Sequence, residues 1–98
     1  NLAMYGIDIE SKERLISEKV SRMVKTFMVT CGMYDSSGEF AIRVGIPSKS
    51  GVGGGILSVV PGKMDIGVYG PSLDEKGNPI AGVALLEDLS KKLNLTIF

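Results

Sequence analysis

The residues whose types and spacing could do chemistry are concentrated in one stretch, PSKSGVGGGILSVVPGK, residues 47–63. A lysine, a serine and four glycines fall between Lys49 and Gly55, and an apolar run follows at once. Three chemistries suit such a composition. A phosphate cradle needs its Lys-Ser after the glycines, at the mouth of a helix. Here Lys49-Ser50 precede them, and the following residues read as a strand. The dinucleotide-binding fingerprint also fails, because Ile56 stands where its last glycine would fall. What remains is close approach. Gly51, Gly53, Gly54 and Gly55 remove Cβ atoms, so a ligand or another backbone can lie against the main chain, with Lys49 and Ser50 at the same edge. A plain bend where two elements meet stays open beside that reading.

Other candidates are sparse. Tyr34 lies in a Gly-Met-Tyr-Asp turn and reads from the residues as a buried tyrosine that anchors the turn through its hydroxyl. Cys31, the single cysteine, reads as core rather than nucleophile and excludes an internal disulfide. With no histidine, Ser-His-Asp and Cys-His catalysis are excluded within these residues, and any metal site would need oxygen ligands alone. Met4, Met23, Met28, Met33 and Met64 read as core filling. Eleven basic and eleven acidic residues cancel, so there is no general attraction to nucleic acid or anionic lipid. No apolar run is long enough to span a membrane, and no signal peptide is visible. Ninety-eight residues make at most one domain, and the opening Asn1-Leu2-Ala3 reads as the interior of a longer polypeptide.

The elements that must position these residues follow from periodicity. Residues 1–16 read as an irregular connection and polar lead-in. Ile16, Val20, Met23, Val24, Phe27, Met28 and Cys31 mark one face of a helix over 18–31, with Ser17 as N-cap and Gly32 as the C′ glycine. After a turn at Asp35–Gly38 the next segment fits two readings. Phe40, Ile42 and Val44 alternate as a strand would, and Phe40, Ala41 and Val44 mark one helical face. Ser37 as a cap and Gly45-Ile46-Pro47 as a stop favour the short helix. GILSVVPG and DIGVYGP read as two antiparallel strands joined at Pro61-Gly62-Lys63. SLDEKGN is a solvated turn, and Asn78 as N-cap with Pro79 at N1 opens a helix to about Leu93. Its apolar stripe is Ile80, Val83, Ala84, Leu86 and Leu89, widened by Leu85 and Leu93. Asn94 ends that helix, and LTIF is an edge strand or a docking tail.

From about Ile16 onward the chain closely resembles the C-terminal part of the serine-dependent glutaminases. The motifs that carry the resemblance are Cys31-Gly-Met-Tyr-Asp35, Pro47-Ser-Lys-Ser-Gly-Val52, the Val-Val-Pro-Gly turn at 59–62 and the Leu-Asp-x-x-Gly-Asn turn at 73–78. The resemblance implies an α+β fold similar to serine β-lactamases and penicillin-binding proteins, with antiparallel strands against helices and the C-terminal helix docked on the sheet. In that superfamily a Lys-[Ser/Thr]-Gly triplet lies on a strand lining the site, and Lys49-Ser50-Gly51 looks like it. By the same resemblance the catalytic residues are Tyr34, Lys49 and Ser50. Tyr34 and Val52 meet the substrate, and the Val52 backbone N–H serves the oxyanion hole.

The implied reaction is hydrolysis of L-glutamine to L-glutamate and ammonia through a serine acyl-enzyme. The resemblance further implies a cytoplasmic homo-oligomer with L-glutamine as its small-molecule partner and no cofactor. One departure is large. The family's nucleophile lies in a Ser-x-x-Lys motif, and no such spacing occurs in these residues. The chain is therefore expected to be the C-terminal segment of one catalytic domain, inactive alone. Two other readings stand beside it: a β-lactamase-like or peptidase-like serine acyl-transferase, and a non-catalytic fragment that associates with its own copies.

Overall fold

The β-branched runs on either side of Pro61-Gly62-Lys63 pair as the hairpin their spacing predicts. In the computed structural model, which describes residues 3–98, they are strands β2 (Gly55–Val60) and β3 (Met64–Tyr69). Gly62 takes φ +74° in the turn, and the Lys63 N–H donates to the Val60 carbonyl at 3.0 Å. A third strand, β1 (Ser48–Ser50), pairs with β2 so that Ser48, Lys49 and Ser50 face Ser58, Leu57 and Ile56. The sheet is antiparallel with order β1-β2-β3. Helices α1 (Glu18–Cys31), α2 (Ser37–Arg43) and α3 (Ile80–Leu93) complete the fold, with a single 3-10 turn at Tyr34–Ser36. The class is α+β, as expected.

Alternation along the strands divides the sheet into two faces. Ile56 and Val60 turn towards α2 and α3 and join Met33, Phe40, Val44 and Leu86 in the main core. Gly82 is what lets α3 dock, because a Cβ there would lie 3.0 Å from Ile56 Cδ1 and 3.2 Å from Val68 Cγ2. Inward serines satisfy one another: Ser48 Oγ and Ser58 Oγ are 2.7 Å apart across the paired strands. On the opposite face Val59 meets Met28 of α1 and Ala3. Beyond that contact Leu57, Gly67 and Tyr69 are uncovered.

Helix α1 runs over the expected residues, and Ser17 Oγ accepts from the Val20 N–H at 3.1 Å. Its buried side is not the expected one. Ser21, Lys25 and Met28 are buried, whereas Val20, Met23, Val24, Cys31 and Phe27 (63% exposed) face outward. Hydrophobic periodicity locates a helix but does not say which neighbour covers its stripe, and here no part of the described chain does. Lys25 is accommodated by its Nζ lying 4.2 Å from the Tyr5 ring centroid, and burial pushes its pKa down. Cys31 and Met23 are corrected accordingly from core to surface, and Met64 is exposed as well.

The helix ends differ from expectation in informative ways. Gly32 is not left-handed (φ −68°); it is glycine because a Cβ would fall 1.8 Å from the Ser48 carbonyl oxygen. Ser37 is the first residue of α2 rather than its cap. Helix α3 begins one residue late, with Pro79 in the N-cap position, and Asn78 therefore does not cap it. The face α3 buries is Gly82, Leu86 and Ser90, while Ile80, Ala84, Leu85 and Leu93 remain exposed. Asn94 ends α3 in the left-handed conformation (φ 54°). The last residues dock as a tail: Leu95 is buried, and the Ile97 N–H donates to the Gly45 carbonyl at 2.8 Å. Arg43 ties α2 to α3 through Glu87 at 2.6 Å, and that bond, then Lys91, holds the Glu87 carboxyl below its usual range.

Candidate active site

Strand alternation decides which residues of the 48–52 segment can meet a ligand. Ser48 and Ser50 point into the core, and Lys49 between them points out over the uncovered face of the sheet. Beside it are Leu57 of β2 and Val24, Phe27 and Cys31 of α1, which with Gly32 line an open groove. The groove wall is apolar, with one lysine at its end. Among the described residues no carboxylate pairs with Lys49.

Tyr34 is brought to the same place from a different element. It is 41% exposed rather than buried, so the expected anchoring role of its hydroxyl is corrected. Its backbone is left-handed (φ 54°), a conformation that costs a non-glycine residue on the order of 1–3 kcal/mol. The turn is held by Ser37, whose Oγ donates to the Tyr34 carbonyl at 2.7 Å and accepts from the Met33 N–H at 3.0 Å. Lys49 Nζ lies 4.5 Å from the Tyr34 ring centroid and also donates to the Ser50 carbonyl. Gly77, at φ +90°, also lies against the ring, where a Cβ would touch ring carbons at 3.8 Å. Lys49 and Gly77 therefore both meet the Tyr34 ring, brought there from strand β1 and from the turn before α3.

The glycine loop is rigid where it joins the sheet and open at its tip. Gly54 (φ +103°) donates to the Gly51 carbonyl at 3.0 Å, and a Cβ there would come within 2.7 Å of the Gly70 carbonyl oxygen. The Gly51 N–H donates to Gly55 and the Gly70 N–H to Gly54, which locks the base of the turn. Around Gly51 and Gly53 there is open space, and Val52 between them is 73% exposed. Among the described residues no acceptor is bonded to the Val52 N–H. The close approach read from the glycines thus divides: Gly54 serves another stretch of backbone, and the Gly51–Gly53 tip is free.

Ser50, expected among the catalytic residues, shares the triplet but not the face. It is buried, and its Oγ donates to Asn78 Oδ1 at 2.5 Å. Asn78, read from sequence as a helix cap, is 1% exposed and reaches across to the Met33 carbonyl, to which its Nδ2 donates at 2.9 Å. Asp74 holds it by accepting from its backbone N–H at 3.0 Å. The signal that could have found Asn78 is the inward serine at position 50, because a buried hydroxyl on a strand needs a polar partner. No group of three His, Cys, Asp or Glu side chains among the described residues could hold a metal ion.

Comparisons with known proteins identify the family and the fold. The family model described as Glutaminase matches residues 1–98. The chain belongs to the glutaminase family. A glutaminase of Clostridioides difficile is 72% identical over 98 residues, covering 100% of this chain and 32% of that protein. One from Fusobacterium nucleatum is 70% identical over 97 residues, again 32% of its length. Among solved glutaminases, the covalent complex of Bacillus subtilis YbgJ with 5-oxo-L-norleucine, formed by reaction with 6-diazo-5-oxo-L-norleucine, superposes with a TM-score of 0.96 at 42% identity. The match covers 99% of this chain and 36% of that one. A structure of Mglu in its glutamate form superposes with a TM-score of 0.93 at 43% identity over 99% of this chain and 22% of its own. The chain thus spans about a third of the length of the curated glutaminases it matches.

Proposed function

We propose that these residues are the strand-side wall of a site that hydrolyses L-glutamine to L-glutamate and ammonia, in a full-length protein whose C-terminal catalytic segment this chain forms. The observation that carries the reading is the contact of Lys49 Nζ with the Tyr34 ring, 4.5 Å from its centroid, where Lys49 closes an apolar groove; the unbonded Val52 N–H follows three residues along the same segment. A serine from outside this chain attacks the side-chain amide carbon. The tetrahedral intermediate collapses with cleavage of the C–N bond, and ammonia leaves carrying a proton delivered through Tyr34. Water then attacks the ester, releasing glutamate and returning a proton to the serine.

Each residue has a physical task in that sequence. The Val52 N–H, unbonded and flanked by two glycines, donates to the carbonyl oxygen as its charge develops. Loss of one such donor typically costs on the order of 10²–10³ in rate. Lys49 supplies positive charge beside the Tyr34 ring, at the edge where negative charge develops on the substrate carbonyl. Ser50 supports the strand from the core side. Covalent reaction of the Bacillus subtilis relative with a diazo ketone supports a nucleophilic route, because 5-oxo-L-norleucine carries its carbonyl where glutamine carries the amide carbonyl. The uncovered α1 face, with Val24 and Phe27 outward, is where the rest of the polypeptide packs. Homo-oligomeric assembly and a cytoplasmic location belong to this reading on the family resemblance alone.

The test is ammonia release from glutamine by the full-length protein, with a penicillin as the competing substrate and the 98-residue chain assayed beside it. Glutamine turnover by the full-length protein only is the expected result. Turnover of penicillin but not glutamine would transfer the site to the acyl-transferase reading. Activity of the isolated 98 residues would show that no outside nucleophile is needed.

A further inference from the structure

Asn78 and Ser50 touch no reacting group in the chemistry described above, yet both are buried and hydrogen-bonded beside it. Their bonds close a ring. The Ser50 N–H donates to the Gly32 carbonyl at 3.0 Å, Ser50 Oγ donates to Asn78 Oδ1, and Asn78 Nδ2 donates to the Met33 carbonyl next to Gly32. The ring joins the end of α1, the end of β1 and the turn before α3. Tyr34 leaves it on one side and Gly51-Val52 on the other. Asp74 fixes Asn78 in turn, accepting from its N–H, while the Asp74 N–H donates to the Asn78 carbonyl at 2.8 Å. The same turn carries Gly77 against the Tyr34 ring.

From this arrangement we infer that Asn78 is a positioning residue, which with Ser50 holds Tyr34 in its left-handed conformation at a set distance from Lys49 and the Val52 N–H. The reason is geometric. An amide accepts from Ser50 through its oxygen and donates to Met33 through its nitrogen at the same time, whereas a carboxylate could accept from Ser50 but has no proton to give the Met33 carbonyl. The left-handed Tyr34 backbone is unfavourable by itself and persists only where its neighbours over-determine it. Ser37 holds one side of that turn and Asn78 the other. The inference rests on the reading that Tyr34 acts on glutamine.

Asn78→Ala and, separately, Ser50→Ala in the full-length protein test it. The expected result is a fall in kcat for glutamine of about 10- to 100-fold with KM within about threefold, because the reacting groups are misplaced while ligand contacts from outside this chain remain. In a Tyr34→Phe background the same substitutions should add no more than about threefold, since they act through Tyr34. Fully additive losses, or kcat within about threefold of wild type in both single variants, would overturn the inference. Ser50→Ala removes one arm only and carries the test if Asn78→Ala does not fold. Crystal structures of the variants need no turnover: Tyr34 displaced from its left-handed conformation supports the inference, and Tyr34 unmoved defeats it. If the wild-type protein fails to hydrolyse glutamine, the proposed function falls and these structures still decide the positioning role.

Discussion

Tyr34→Phe in the full-length protein is expected to lower kcat for glutamine by on the order of 10²–10⁴, the range that a positioned proton-transfer group contributes. Its stability should be unchanged. The ring keeps its contacts with Gly77 and Lys49 Nζ, and the lost hydroxyl belongs to a residue that is 41% exposed. The unfavourable left-handed backbone is common to tyrosine and phenylalanine, so the substitution neither relieves nor adds strain. Steady-state kinetics beside thermal melting separate the two effects. Turnover within a few-fold of wild type, with an unaltered melt, would return Tyr34 to a packing role.

Gly32→Ala should have the largest effect on folding. Its Cβ would fall 1.8 Å from the Ser48 carbonyl oxygen and 2.4 Å from the Met28 carbonyl oxygen, both backbone atoms that cannot swing aside. Relief requires β1 to part from the end of α1, which breaks the bond from the Ser50 N–H to the Gly32 carbonyl. Overpacking of this kind costs on the order of 3 kcal/mol or more. The matched control is Gly38→Ala in α2, where a Cβ would meet nothing within 4 Å. That change should stabilise by about 0.5–1 kcal/mol through helix propensity. Urea midpoints for the two variants measure the contrast, and equal midpoints would contradict it.

Most of the scaffold was legible because periodicity and punctuation act locally. The bounds of α1, the hairpin at Pro61-Gly62-Lys63 and the left-handed stop at Asn94 all follow from residues within a turn of the feature. What escaped depends on who the neighbour is. The stripe from Val20 to Cys31 identified a helix, but periodicity does not name the neighbour that would cover it, and among the described residues none covers Val20, Val24 or Phe27, which face outward. Gly32 was recognised as a helix-ending glycine for the wrong reason, because the close approach of Ser48 is a tertiary contact. Asn78 before a proline fits a cap by local rules, and only the fold places it against Ser50 and Met33. The candidate site was drawn chiefly from family resemblance. Residue chemistry alone left the glycine loop between a ligand edge and a bend, and it favoured a buried Tyr34.

Glutamine hydrolysis at this wall is tested most directly by trapping. The full-length protein treated with 6-diazo-5-oxo-L-norleucine should give a covalent adduct whose crystal structure places the C5 oxygen about 2.7–3.2 Å from the Val52 N–H. The Tyr34 hydroxyl should lie within reach of the nucleophile. An adduct whose C5 oxygen is held elsewhere, with Val52, Lys49 and Tyr34 facing solvent, would contradict the assignment of this face as the site.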